Sequence, residues 1–249
     1  HLRASYPRAT LHAMLVDSIT LQADDPSTLA RFWSEALRVP IVRGEPAGLL
    51  LPTPGVPLRL IPAPSTSRSE PAITRLHLDL SGGSDHRSWA RTLCSLGASP
   101  RDVGQGDVPW EVLADVEGNL FCVMPGDRYE EAGPGLGSLP VDSARPRADR
   151  DFWARITGWT PTEKGHPELR PPHGPGIRLA FCDELGPKPA NEPNLMGPAL
   201  RLEEHERETD ALELLVHAGA VRVETEDEAP WHLLADPSGN EFRLLKPLR

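Results

Sequence analysis

Positive charge is in short supply in this chain, where 26 Lys and Arg residues face 36 Asp and Glu for a net charge of −10. A surface of that sign repels phosphate backbones and anionic headgroups, so neither nucleic acid nor a membrane is an expected partner. No stretch of ~18 or more apolar residues occurs, so no segment reads as a membrane-spanning helix. Cysteine is scarce as well: Cys94, Cys122 and Cys182 are odd in number and lack CxxC spacing, and no secretory signal precedes them. That pattern excludes a disulfide framework and fits a reduced, cytoplasmic protein. The chain also lacks a nucleophile elbow, a zinc helix and a nucleotide-binding fingerprint. Gly133-Pro134-Gly135-Leu136-Gly137 resembles a phosphate loop in composition alone, because it follows a polar Glu130-Glu131 stretch and reads as a linker.

Proline is abundant, 28 of 249 residues and about twice the usual share, concentrated in loops, which argues against an all-helical fold. More informative is a repetition. Trp110-Glu111-Val112-Leu113-Ala114-Asp115 with Gly118-Asn119 returns as Trp231-His232-Leu233-Leu234-Ala235-Asp236 with Gly239-Asn240, an offset of 121 residues (110 to 231). Pro26, Phe32 and Trp33 return as Pro146, Phe152 and Trp153, and Gly97-Ala98 as Gly219-Ala220, at nearly the same offset. The chain is therefore read as two copies of a unit of roughly 120 residues, at residues 14–125 and 138–249, with a linker at 126–137 and a leader or loose tail at 1–13.

Each copy alternates between the strand and helix periods. Leu15 to Ala23 alternates as a half-buried strand; Asp25 and Pro26 supply an N-cap and a first helical residue; Leu29, Phe32, Trp33, Ala36 and Leu37 then fall on one helical face. Short strands are predicted around Val39 to Val42, Gly48 to Leu51 and Pro57 to Ile61. The same order follows from Arg75 to Leu80, through a helix at Asp85 to Leu96, to strands near Pro100, at Trp110 to Asp115 and at Leu120 to Met124. The second copy repeats it, with weaker versions of the first strand at Ser138 to Ser143 and of the third at Pro198 to Leu202. Four strand-helix-strand-strand-strand modules are expected.

The phrases Asp25-Pro26 with Leu29-Ala30-Arg31-Phe32-Trp33, Arg75-Leu76-His77-Leu78-Asp79-Leu80, Leu96-Gly97-Ala98 and Leu113-Ala114-Asp115 with Gly118-Asn119 and Phe121-Cys122-Val123 resemble a glyoxalase-like domain of the vicinal oxygen chelate superfamily. The resemblance implies an α+β fold of tandem glyoxalase-like domains, whose four βαβββ modules form curled mixed sheets around ligand cups. It implies no single activity, since this fold serves isomerases, lyases, dioxygenases, epimerases and drug-sequestering proteins.

Metal-dependent members hold a divalent ion with His, Gln and Glu side chains from paired modules. Carried onto this sequence, those positions are Ser18, Arg59, His77 and Cys122 in the first copy and Ser138, Arg178, Ala199 and Arg243 in the second. A guanidinium is never a ligand, and His77 is the one strong donor in that set, so no resident cofactor or divalent metal is expected. Modules paired as in swapped arrangements set Ser18 and Arg59 against Ala199 and Arg243, and Ser138 and Arg178 against His77 and Cys122.

His77 and Asp79 share a strand face and form a candidate general base or ligand anchor, or else His77 is a structural histidine. The copy-one cup is expected to be lined by Ser18, His77, Asp79 and Cys122, with Gln22 near the helix start. Trp110 either stacks on a ligand or packs. Arg59, Arg178 and Arg243 either take an anionic ligand bidentately or, after a one-residue slip, face solvent. Asp115, Asn119, Asp236 and Asn240 read as turn chemistry, and Glu203, Glu204, Glu206 and Glu208 as a solvated helix entrance.

Three functions remain open. The first is a small-molecule-binding protein that sequesters its ligand or performs simple acid/base chemistry; the second is a metal-dependent lyase, isomerase or dioxygenase; the third is a degenerate interaction protein. Either a monomer with its two domains paired or a homodimer is compatible with the sequence.

Overall fold

The computed structural model describes residues 13–63, 74–126, 129, 135–162, 166–173, 176–189, 192–202, 206–224 and 229–246. Most of the expected tail, Glu203 and Glu204 of the acidic run, and most of the linker lie outside these residues. The first module comprises β1 (Leu15–Ala23), α1 (Pro26–Leu37), β2 (Val42–Arg43), β3 (Leu49–Leu51) and β4 (Leu58–Pro62). The second comprises β5 (Leu78–Ser81), α2 (His86–Ser95), β6 (Ser99–Pro100), β7 (Glu111–Ala114) and β8 (Leu120–Met124). The third is β9 (Gly135–Ser143), α3 (Pro146–Thr157), β10 (Thr160–Pro161), β11 (Glu168–Arg170) and β12 (Arg178–Asp183). The fourth is β13 (Met196–Arg201), α4 (Glu208–Ala218), β14 (Val221–Val223), β15 (Trp231–Ala235) and β16 (Glu241–Leu245).

Helix starts follow the sequence closely. Asp25 caps α1 by accepting from the backbone N–H groups of Ser27 and Thr28, with Pro26 at the first turn, where its missing N–H is harmless. Two strands depart from expectation. β9 begins at Gly135, so three residues assigned to the linker are sheet, and β5 begins at Leu78, with Leu76 held by an isolated bridge to Val141.

The modules pair across the chain. One eight-stranded sheet runs β14-β15-β16-β13-β1-β4-β3-β2, joining modules one and four, and the other runs β10-β11-β12-β9-β5-β8-β7-β6, joining modules three and two. At the centre of the first sheet β1 lies antiparallel to β13, and at the centre of the second β5 lies antiparallel to β9. The expected copy-one cup is thereby divided: Ser18 belongs to one sheet, and His77, Asp79 and Cys122 to the other.

Alternation then sorts each sheet into two faces. Ile19, Leu21, Leu58, Leu60, Leu200, Phe242 and Leu244 of the first sheet enter one continuous core with Leu78, Leu80, Phe121, Val123, Leu139, Leu179 and Phe181 of the second. Helices bridge the sheets. α1 packs on β3 and β4 while Phe32 and Trp33 meet Phe121 of the other sheet, and α3 packs on β12 while Phe152 and Trp153 meet Phe242. The opposite, polar face of each sheet forms a cup.

Candidate functional site

In the second sheet the register puts Arg178 opposite Ser138, Ser138 opposite Asp79, and Asp79 opposite Cys122, so all four share the cup face. His77, two residues before Asp79, is tied to β9 by its backbone N–H donating to the Pro140 carbonyl at 3.4 Å. Its Nε2 stands 3.4 Å from Asp79 Oδ1, an ion-pair approach without hydrogen-bond alignment, since that oxygen has no hydrogen-bond partner. One donor atom each from His77, Asp79 and Cys122 lies within 4.8 Å of the others.

Burial opposes a charge on His77, but the Asp79 carboxylate and the Cys122 sulfur outweigh it and push the imidazole up to about 10. The side chain is 29% exposed, so water screens part of this effect; the upward direction follows from the facing carboxylate, and the imidazolium is the resting form at neutral pH.

Tyr129 covers this cluster. Its hydroxyl donates to Asp79 Oδ2 at 2.8 Å, and its ring packs with Cys122 and Met124, flanked by Trp110 and Val112. Gly137 makes room for it: a Cβ there would stand 2.5 Å from the ring's Cδ2. The Arg178 guanidinium sits 5.7 Å from the ring centroid, with Nη1 3.4 Å from Glu168 Oε2. Trp110 is half-buried, and its indole N–H donates to Gln105 Oε1 at 3.2 Å.

The first sheet builds a different cup. Thr20 faces Arg59 and Gly197, Ser18 faces Ala199, and Ala199 faces Arg243. A bulge between Val16 and Ser18 displaces Asp17 from the alternation, and its carboxylate accepts from Arg59 Nη2 at 2.9 Å, Arg201 Nε at 2.7 Å and Ser18 Oγ at 2.8 Å. Burial raises the Asp17 carboxyl, but the hydrogen bonds from Arg201 and Arg59 hold it below its ordinary value. Arg59, 2% exposed, also donates to Ser18 Oγ and the Ala47 carbonyl, so it is a satisfied structural charge.

Arg243 is the contrast. It is 4% exposed, its guanidinium lies 5.4 Å from the Trp231 ring centroid, and its Nε has no hydrogen-bond partner. Burial draws its pKa down to about 10, with Glu241 opposing. Thr20 Oγ1 is buried without a partner on the same face.

These donor sets treat a divalent metal differently. Ser18, Arg59, Ala199 and Arg243 offer no imidazole or carboxylate and place two guanidinium groups in the cup, so the first sheet does not fit an ion. In the second sheet, His77, Asp79 and Cys122 present nitrogen, oxygen and sulfur at one point, a set suited in type to a borderline ion such as zinc.

The sequence-derived residues therefore separate into two groups. His77, Asp79, Cys122, Arg178 and Trp110 surround the second cup, whereas Ser18, Arg59 and Arg243 line the first. All three arginines stand on cup faces rather than on outer ones. Gln22 joins neither cluster; its Nε2 donates to the Asn194 carbonyl at 3.1 Å. Sequence reasoning missed Tyr129, which sits in an aperiodic linker, and Asp17, which a bulge moves out of register. Thr20 was within reach, because it shares the alternation of Ser18.

A family model for the glyoxalase-like domain matches residues 18–124 and again 138–245. Glyoxalase I from Zea mays superposes with a TM-score of 0.63 at 13% identity, covering 94% of this chain and 92% of that one. A Bacillus subtilis protein described as a dioxygenase gives a TM-score of 0.60 at 14% identity, covering 94% and 85%. At these identities the likeness is one of fold. Among curated protein sequences none matches the chain.

Proposed function

The chain belongs to the glyoxalase-like domain family, and from that premise we propose that it binds a small organic molecule in the second cup, with His77 as proton carrier and no resident metal. The observation that carries this reading is the imidazole of His77 set 3.4 Å from a buried carboxylate whose other oxygen is held by Tyr129. Asp79 orients and charges the ring, and the imidazolium can protonate a ligand oxygen or, once neutral, take a proton from an adjacent carbon. Ser138 and Arg178 offer polar contacts on the same face. Three free thiols fit a reduced, cytoplasmic setting.

A second reading, a metal-dependent lyase, isomerase or dioxygenase, is favoured by the three donor atoms within 4.8 Å. It needs a neutral His77 and a Cys122 thiolate, and the ion would supply Lewis-acid polarisation. Arg178 at a family ligand position, together with a charged His77, weighs against it.

Two measurements test the proposal. Protein purified without chelator is expected to carry far less than one equivalent of Zn, Ni, Mn or Fe, and His77→Ala is expected to abolish binding of a metabolite that stabilises both the native protein and Arg243→Met in a thermal-shift screen. Stoichiometric metal whose removal destroys binding would replace the first reading with the second. A large drop in Tm for His77→Ala with binding intact would make His77 structural.

A further inference from the structure

The first cup carries an unbalanced charge. Arg59 and Arg201 share the Asp17 carboxylate, and Glu241 is engaged by Lys188 at 2.7 Å. That leaves Arg243, which has no ion pair among the described residues and whose Nε lacks a hydrogen-bond partner although the side chain is 4% exposed. Thr20 Oγ1, also buried, is the second unmatched polar atom on this face. Burying a guanidinium without a partner is strongly unfavourable, and a chain with a net charge of −10 has many carboxylates that could have been placed beside it.

Small residues separate the two groups along the sheet. Thr20 is in register with Gly197 and Arg243 with Ala199, so the strand between them raises nothing larger than a methyl group toward the cup. Part of this face is apolar, with Leu50 opposite Arg59, Leu233 opposite Arg243 and Trp231 opposite Leu245, alongside the polar Ser18, Arg59 and Glu241. Leu50, Leu233 and Trp231 are all half-buried, as the walls of a partly open cup would be.

We propose that the first cup binds a monocarboxylate with an apolar body, its carboxylate held by Arg243 and Thr20. Three guanidinium groups stand against the single Asp17 carboxylate, so the face carries excess positive charge, and its two unmatched groups, Arg243 and Thr20, suit the two oxygens of a carboxylate. A phosphate monoester presents a third oxygen for which no further unmatched donor stands on this face among the described residues. The site is separate from the His77 cluster and stands or falls independently of it.

Calorimetric titration and thermal shift of the full chain with benzoate, benzamide and phenyl phosphate test this assignment. Benzoate is expected to bind and raise Tm in a salt-dependent manner, with benzamide and phenyl phosphate at least about tenfold weaker. Arg243→Met should weaken benzoate at least about tenfold while raising the Tm of the unliganded protein, because it removes a buried unpaired charge. Thr20→Val should weaken it several-fold, and His77→Ala should leave it unchanged. The assignment is overturned by no benzoate binding up to roughly 10 mM, by equal binding of benzamide or phenyl phosphate, or by Arg243→Met that lowers Tm and leaves benzoate affinity intact.

Discussion

Trp33 donates its indole N–H to Asp115 Oδ2 at 3.1 Å, and the repeat makes the same bond between Trp153 and Asp236 at 3.2 Å. The two landmarks that expose the repeat in the sequence, a Phe-Trp pair and a Leu-Ala-Asp turn, are thus the two ends of one contact. Each links a helix of one sheet's module to a hairpin of the other sheet. Asp115 also accepts from the backbone N–H groups of Glu117 and Asn119, so a residue read as turn chemistry alone also ties the two sheets together.

Trp33→Phe keeps the ring among Phe32 and Phe121 but leaves the buried Asp115 carboxylate one donor short. It is expected to lower stability by about 1 kcal/mol in urea titrations, and Asp115→Ala, which also undoes the turn, by about 2–3 kcal/mol. Equal stability of Trp33→Phe and the native chain would reduce the indole bond to a bystander.

Stability should depend on pH through Asp236. Burial is the largest influence on its carboxyl; the Asn240 backbone N–H opposes it, the neighbouring Asp149 adds to it, and the net result is a rise to about 6. Between pH 3.8 and about 6 the folded chain holds a proton on Asp236 that the unfolded chain has released, so this contribution falls as pH rises through the window and levels off above it, while His77, raised to about 10, carries a further decline above pH 6.5. The Asp236 span is roughly 2–3 kcal/mol. Asp17, whose carboxyl is lowered, acts in the opposite sense and below pH 3.8. Melting curves of native protein and Asp236→Asn should therefore show the native slope between pH 4 and 6.5 flattened in the variant; parallel slopes would contradict it.

Gly137 and Tyr129 should be coupled. The nearest atoms to a Cβ at Gly137 all belong to the Tyr129 side chain, the closest two to its ring, so Gly137→Ala is expected to destabilise by about 1–3 kcal/mol in the native background. In a Tyr129→Ala background, where only the Cβ contact at 3.2 Å remains, the cost should be much smaller, and a double-mutant cycle reads the difference. Additive effects would mean that the ring does not rest on this strand.

Much of the fold was legible because two periods alternate cleanly. The cap at Asp25 and Pro26 and the four-module order follow from local pattern, whereas the positions of Ser18, Arg59, Arg178 and Arg243 come from the family resemblance, and the facing of the three arginines is open until the register fixes it. Local pattern leaves module pairing open between two arrangements, and the swapped one, setting Ser18 and Arg59 against Ala199 and Arg243, is the one the sheets adopt. β1 and β5 each carry a strand pattern that either of two partners would satisfy, and sequence proximity favoured the wrong grouping of Ser18 with His77. Hydrogen-bond satisfaction was equally hidden: Arg59 and Arg243 look equivalent in sequence, yet a bulge brings Asp17 to one and nothing comparable to the other.

The pairing of Leu15 with Arg201 and of Ser18 with Ala199 has a temporal side. β1 leaves the ribosome well before its antiparallel partner, which follows only after three complete modules, so the sheet has high contact order and must close a very long loop. During that interval β1 and β5 each show an open edge with the same geometry, and each is a template for a neighbouring nascent chain. The first half can collapse early through Trp33, Phe121 and Asp115, but its two central edges stay open. A chain interrupted after the first copy would therefore be expected to associate with a second molecule through the strands that β9 and β13 normally cover.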